Sequence, residues 1–133
     1  MKAFVLFLMF CPLLAWSQKE PREFEMTEGD TTYTMKRYYM CFLKKGPNRN
    51  MDEKAAMAIQ KAHMASIDSL AQIGKVVMAG PFGDDGDVRG ILIYDVETQQ
   101  EAEILAAGDP AVKAGSLILE VHPWWAAKGT RLP

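Results

Sequence analysis

Several features are scarce in this sequence of 133 residues, and each scarcity excludes a class of protein. No apolar stretch reaches the roughly 18–20 residues that a membrane-spanning helix needs, so we expect no membrane span. Positive charge is not in excess, because 15 Lys and Arg residues face 17 Asp and Glu residues. That balance gives no support to a nucleic-acid-binding surface. Hydrophobic residues make up 49% of the chain, which is ample for one packed domain.

Familiar catalytic and metal-binding signatures are missing as well. The chain contains no G-x-S-x-G motif, no phosphate-binding loop, no dinucleotide fingerprint and no Cys/His cluster with zinc spacing. Three aspartates fall within Gly83–Asp87, but the downstream glutamate and the spacing of a calcium-binding EF-hand are absent. The Asp-Gly pair in this segment instead predicts a tight hairpin turn. We therefore expect neither a metal nor a cofactor.

Residues 1–17, MKAFVLFLMFCPLLAWS, have the charged start, apolar middle and small-residue end of a secretory signal peptide. We expect cleavage between Ser17 and Gln18, and export to the periplasm or the exterior. One alternative is a buried first helix or strand, which Pro12 and the polar segment that follows both disfavour. A second alternative is a lipid anchor on Cys11, which the bulky residue before the cysteine disfavours.

Cleavage would leave a single cysteine, Cys41, in the mature chain. One thiol cannot form an intramolecular disulfide, so the domain must depend on its hydrophobic core even in an oxidising compartment. Cys41 lies within an apolar, strand-like run, and we interpret it as a small buried hydrophobic residue rather than a nucleophile.

After the signal peptide we expect a flexible leader at 18–32, one domain at 33–128 and a short tail at 129–133. Alternation and turn residues predict four strands and two helices within the domain. The strands are Tyr33–Lys44, Val76–Ala79, Val88–Val96 and Leu117–His122; the helices are Asn50–Ile73 and Thr98–Ala107, followed by a short helical turn at Pro110–Ala114. This order predicts an α+β fold: a ferredoxin-like βαββαβ protomer with an antiparallel four-stranded sheet and both helices on one face.

The helix starts carry recognisable capping patterns. Asn50 with Glu53, and Thr98 with Glu101, have the spacing of a capping box. Asp109, directly before a proline, is typical of a helix N-cap.

The second face of the predicted sheet is left without a helix. Tyr, Met, Leu and Ile alternate through the strands, so both faces carry apolar side chains. An uncovered apolar face of that size would favour association. We therefore expect a homodimer in which two sheets pack face to face.

The two histidines are candidates for chemistry. His63 falls on the inward stripe of the long helix, between Ile59 and Ile67, where the simplest interpretation is a satisfied core histidine. A carboxylate partner would fix the ring tautomer, and Asp109 is the candidate. A role as a helix cap explains the presence of Asp109 equally well, and sequence distance does not tell whether the side chains of His63 and Asp109 meet. We interpret His122, at a strand end, as a structural or rim residue.

The order of motifs resembles the YCII-related family of small dimeric α+β-barrel proteins. The matching pieces, which span Ala62–Lys128, are His63 in a helix ending LAQIGK at 70–75, AGPF at 79–82, DDGDVRG at 84–90, DPAVKAG at 109–115 and EVHPW at 120–124. Tyr33–Lys44 fits the first strand of the family. The resemblance implies a ferredoxin-like protomer, dimerisation through the sheets and a pocket between sheet and helices. The secretory leader is a departure, since familiar members are short cytoplasmic proteins.

The resemblance also implies a function. A His–Asp pair proposed to be catalytic in the family falls here on His63 and Asp109. We expect general acid–base chemistry of an elimination (lyase) or hydrolase-like type on an unidentified small molecule, with His63 moving the proton and Asp109 orienting the ring. The candidate substrate-binding residues are Ser66, Gly80, Pro81, Phe82 and Trp124. The alternatives are a dimer that binds a small ligand without turnover and, from the wider superfamily, cofactor-free oxygenation or haem binding.

Overall fold

The computed structural model describes residues 20–133, so the predicted signal peptide at 1–17 lies outside the described residues. Five strands and three helices follow one another along the described chain. They are β1 (Glu23–Glu28), β2 (Thr31–Lys45), α1 (Glu53–Gln72), β3 (Val76–Pro81), β4 (Val88–Tyr94), α2 (Gln99–Ala107), α3 (Pro110–Lys113) and β5 (Leu117–Ala127). The α+β class predicted from the sequence is confirmed.

The strands form one antiparallel sheet organised around β2. Strand β5 pairs with one edge of β2, and β4 pairs with the other edge and also with β3. The order β5-β2-β4-β3 is the strand order of a ferredoxin-like domain. Strand β1 pairs with the first part of β2, on the edge that β4 occupies further along. The sheet therefore has five strands, one more than the sequence predicted.

The extra strand corrects the interpretation of 18–32 as a flexible leader. Residues 23–28 form β1 and pair with β2 from Thr31 onwards, through a turn in which Gly29 has a φ of 60°. Phe24 and Met26 alternate with glutamates and share a face with Met35 and Tyr33 across the hairpin. The sequence prediction gave more weight to overall polarity than to this alternation of period two, which is the signal for a strand with one polar face.

The helix caps agree in part with the predictions. Asp52, and not Asn50, caps α1, because its side chain accepts a hydrogen bond from the backbone N–H of Ala55 at 2.8 Å. Thr98 caps α2 as predicted, accepting from the backbone N–H of Glu101 at 3.1 Å.

The core lies between the sheet and the helices. Its members are buried side chains of β2, β3, β4, β5 and α2, with Ile67 and Leu70 of α1 packed against them. The central buried residues of the sheet are Tyr39, Cys41, Leu43, Leu92 and Tyr94. Burial raises the pKa of the Cys41 thiol to about 11, which leaves it protonated at neutral pH.

The opposite face of the sheet carries a second set of large apolar side chains, which we call the open face. All three helices pack on the core side, so no helix of residues 20–133 covers it. The register places its members side by side: Tyr38, Met40, Phe42, Met78, Ile91, Ile93, Ile118 and Trp124.

Candidate active site

His63 is the buried residue of α1, with 8% of its surface exposed. The helix directs it inward, because it lies one turn from both Ile59 and Ile67 on the stripe that faces the sheet. Its ring nitrogen Nδ1 lies 2.9 Å from Oδ1 and 2.8 Å from Oδ2 of Asp109. The predicted contact between a buried imidazole and a carboxylate 46 positions later in the chain is therefore present.

Asp109 sits between α2 and α3 and is only 3% exposed. Its Oδ1 accepts a hydrogen bond of 2.8 Å from the backbone N–H of Ala111, so it caps α3. The two interpretations that the sequence left open, helix cap and histidine partner, hold at the same time. Because the cap fixes the carboxylate, the position of the His63 ring is fixed as well.

This geometry defines which ring nitrogen is available for chemistry. A carboxylate has no hydrogen to donate, so Nδ1 must carry the proton in its contact with Asp109. The neutral ring then has an unprotonated Nε2, and within residues 20–133 no hydrogen bond holds that atom. A nitrogen of this kind can take a proton from a ligand and return it.

A cavity of about 590 Å³ adjoins His63, between the sheet and α1. Apolar side chains from the loop before α1, from α1 and from three strands form much of its wall. These are Leu43, Met51, Ile59, Met64, Ile67, Leu92 and Leu117. The polar and charged residues that line it, besides His63, are Asn48, Arg49, Gln60, Arg89 and Ser116. A cavity of this volume is in the range of small-molecule sites.

A match between this sequence and a known domain family shows which family the chain belongs to. A model of the YCII-related domain matches residues 37–125, which is about two thirds of the chain. The chain belongs to the YCII-related family. Strand β1 and the first six residues of β2 lie outside the part that the YCII-related model matches. A comparison with curated proteins finds no significant match.

Among the solved structures that are similar to this chain is the 5-chloro-2-hydroxyhydroquinone dehydrochlorinase TftG from Burkholderia phenoliruptrix AC1100, in complex with 2,5-dihydroxybenzoquinone. It is 25% identical in sequence, with a TM-score of 0.50, and the match covers 65% of this chain and 92% of that one.

The structure brings only some of the predicted substrate-binding residues of this YCII-related domain to the cavity. Gly80 and Pro81, at the end of β3, line it. Ser66 and Phe82 are not among the residues that line it, and Phe82 is 44% exposed. Trp124 lies on the open face, with its ring 6.2 Å from that of Tyr38.

The second histidine is far from this arrangement. His122 is exposed on the open face, where its Nε2 lies 2.7 Å from Oε1 of Glu120. That contact, together with a hydrogen bond from Lys44, lowers the pKa of Glu120. The interpretation of His122 as a structural or rim residue agrees with this position.

Sequence reasoning missed the two arginines of the cavity, Arg49 and Arg89. Arg49 lies in the loop just before α1, and Arg89 lies on β4 inside the DDGDVRG motif. Arg89 belongs to a motif that the sequence already singled out, but no spacing rule connects it with the loop that holds Arg49. Only the packing of α1 on the sheet shows that both line one cavity.

Within residues 20–133, no three His, Cys, Asp or Glu side chains cluster in a way that could hold a metal ion. None of the helices in that part of the chain combines the length and hydropathy that a membrane span requires.

Proposed function

We propose that this YCII-related protein catalyses a proton-transfer reaction of the elimination type on a small molecule, with His63 as the general base and acid. The contact between His63 and the carboxylate of Asp109, at the wall of a cavity of about 590 Å³, is the observation that carries the proposal. The name of TftG, a dehydrochlorinase, supports an elimination in particular.

The geometry assigns a role to each residue of the pair. Nε2 of His63 accepts a proton from an O–H or C–H group of the substrate, and the electron pair of the broken bond forms a new double bond. The bond to the leaving group breaks, and the leaving group departs with its own electron pair. Asp109 holds the ring in one orientation and stabilises the imidazolium that forms. His63 then loses the proton to water, which restores the neutral ring.

Kinetics of substitutions at the pair test this proposal. A positioned general base contributes about 10²–10⁴-fold to rate, so we expect His63→Gln to lose about that much kcat. Asp109→Asn should also lower kcat, and His122→Gln is the matched control on the exposed histidine. Chloride release from 5-chloro-2-hydroxyhydroquinone and related chlorinated hydroquinones is a suitable first assay. Equal turnover by His63→Gln and the unmodified protein would contradict the proposal.

The alternative function, ligand binding without turnover, is favoured by the apolar wall of the cavity. It predicts a different result from the same variants. His63→Gln would change the affinity for 2,5-dihydroxybenzoquinone, measured by absorbance titration. None of the chlorinated hydroquinones named above would yield a product, even with the unmodified protein.

We also propose that two protomers pair through the open face. The support is the number of large apolar side chains that one sheet face presents without a covering helix. Burial of such a face is the main stabilising contribution available to association.

Export is a further part of the proposal, and it is supported by the composition of residues 1–17. Mass spectrometry of the protein recovered from a secreting host is the direct test. We expect a mature N-terminus at Gln18, and an intact N-terminus in the cytoplasm would contradict export.

A further inference from the structure

The charges on the cavity wall differ in sign from the charge of the whole chain. The chain has a formal net charge of −2. Among the described residues that line the cavity there are two arginines and no aspartate or glutamate. Asp109 contacts the ring of His63 from behind and is not part of the lining. The wall therefore presents positive charge to whatever enters.

Arg49 is the stronger contributor. Its guanidinium donates a hydrogen bond of 3.1 Å to the backbone carbonyl of Ser116, which also lines the cavity. No carboxylate of residues 20–133 lies within ion-pair distance of Arg49. A guanidinium has five N–H donors, so one carbonyl leaves several of them free for a ligand.

Arg89, on β4, is the second arginine among the residues that line the cavity. One of its terminal nitrogens donates to the carbonyls of Asp84 at 3.0 Å and Gly86 at 3.3 Å, and it also lies 3.4 Å from a carboxylate oxygen of Asp85. These contacts hold the guanidinium in position. The carboxylate of Asp85 is almost fully exposed, so solvent screens its charge and Arg89 is only weakly neutralised.

We propose that the cavity selects anionic small molecules, namely a carboxylate or a phenolate attached to an apolar body, and that Arg49 binds the anionic group with Arg89 assisting. The planar fork of arginine matches a carboxylate by two parallel hydrogen bonds. The apolar wall formed by Ile59, Ile67 and Leu92 packs against the rest of the ligand.

This inference rests on the proposed acid–base function and names its class of substrate. An anion placed by Arg49 lies in the same cavity as the ring of His63. Removal of a proton from the substrate places negative charge on it, and a fixed guanidinium stabilises that charge as it develops. An anionic group next to the reacting atoms would therefore bind to Arg49 and would also carry the negative charge that develops during the reaction.

A pair of probes that differ in charge tests the inference. We would titrate the ¹⁵N-labelled protein with 2-naphthoate and with neutral 2-naphthamide, and follow the amide resonances of cavity residues such as Gly90 and Ser116. The variants are Arg49→Gln, Arg49→Lys and Arg89→Gln, with Lys61→Gln as the matched control. Lys61 is exposed on α1, does not line the cavity and forms no ion pair with a described residue. Arg49 is itself exposed, and thermal unfolding followed by circular dichroism confirms that each variant is folded.

We expect naphthoate to bind about 10-fold or more tightly than naphthamide, since charge-assisted hydrogen bonds are the strong ones. Arg49→Gln should remove most of that preference, Arg89→Gln part of it and Lys61→Gln none. Arg49→Lys should restore part of it, because the charge returns without the planar fork. The inference is overturned if the two probes bind equally, if neither shifts the cavity resonances, or if Arg49→Gln behaves like Lys61→Gln.

These outcomes are independent of the proposed catalysis. If the unmodified protein binds naphthoate and naphthamide equally but His63→Gln still lowers kcat, the anionic substrate class is rejected and the acid–base function stands. Charge selectivity that depends on Arg49, together with full turnover by His63→Gln, would reject the catalytic proposal and leave an anion-binding cavity.

Discussion

At the scale of single residues, Asp109 performs two tasks with one carboxylate. It caps α3 through the N–H of Ala111 and it contacts Nδ1 of His63. Both tasks depend on the same position at the start of a short helix. A residue that is needed to begin a helix is thereby placed where it can orient an imidazole.

The two tasks can be separated by substitution. Asn is as good a helix cap as Asp, whereas Ala supplies no acceptor. We expect Asp109→Ala to lower the free energy of unfolding by about 1–3 kcal/mol, because a cap is lost and a buried ring nitrogen is left unpaired. Asp109→Asn should cost less stability and still lose activity. Urea denaturation of both variants measures the difference, and equal destabilisation would show that the cap contributes little.

At the scale of elements, the hairpin of β1 and β2 is fixed to the domain by ion pairs. Arg22 donates to Asp95 at 2.5 Å and to Glu97 at 2.7 Å, and Lys36 donates to the second oxygen of Asp95 at 2.7 Å. Burial by itself raises the pKa of Asp95, but the hydrogen bonds from Lys36 and Arg22 outweigh it and hold the pKa below its ordinary value.

This shift predicts a dependence of stability on pH. A carboxyl whose pKa is lower in the folded than in the unfolded state stabilises the fold above the unfolded pKa. That contribution is lost as the pH falls through the folded pKa. We expect Asp95→Asn to lower the free energy of unfolding at pH 7 by about 1 kcal/mol, given partial exposure.

The gap between Asp95→Asn and the unmodified protein should close as the pH falls below about 4, where the carboxyl protonates in the unfolded chain and then in the folded one. Urea unfolding at a series of pH values measures this gap. A gap that stays constant down to acid pH would show that the stability of the hairpin does not depend on the charge of Asp95.

At the scale of the whole molecule, the two faces of the sheet have different tasks. One face supports the core and the cavity, and the open face presents apolar side chains that two protomers would bury between them. We expect Phe42→Glu to convert a dimer into a monomer, because a charge in the middle of that interface would be desolvated. Ile104→Glu, on an exposed position of α2 away from the open face, is the matched control.

Sedimentation velocity of the three proteins measures the mass directly. We expect a dimer for the unmodified protein and for Ile104→Glu, and a monomer for Phe42→Glu. A monomeric unmodified protein, or a Phe42→Glu variant that stays dimeric, would contradict pairing through the open face.

The sequence predicted much of the fold because its signals are local. Apolar alternation located the strands, and Thr98 and Asp109 marked two helix starts by their capping chemistry. Strand β1 was missed because its glutamates dominate its composition. The spacing of Asn50 from Glu53 assigned the cap of α1 to Asn50, and only the backbone path shows that the side chain of Asp52 reaches an N–H instead.

The site was predictable only in part. A buried imidazole requires a polar neighbour, so His63 was expected to have one, but the residues left the identity of that neighbour open and the family resemblance favoured Asp109. Phe82 ends the AGPF motif, whose other three residues line the cavity, whereas no residue of the EVHPW motif that holds Trp124 lines it. In both motifs the direction of the side chain depends on which face of the sheet it takes. Arg49 could not be assigned, because its place on the cavity wall depends on how α1 packs over the sheet.

Measuring the tautomer of His63 tests directly whether Asp109 holds the proton on Nδ1 and leaves Nε2 free for chemistry. Long-range ¹H–¹⁵N correlation spectra, assigned with His63→Gln and recorded where the ring is neutral, report which nitrogen carries hydrogen. We expect a protonated Nδ1, an unprotonated Nε2 and loss of that preference in Asp109→Ala. A neutral ring protonated on Nε2 would contradict this expectation.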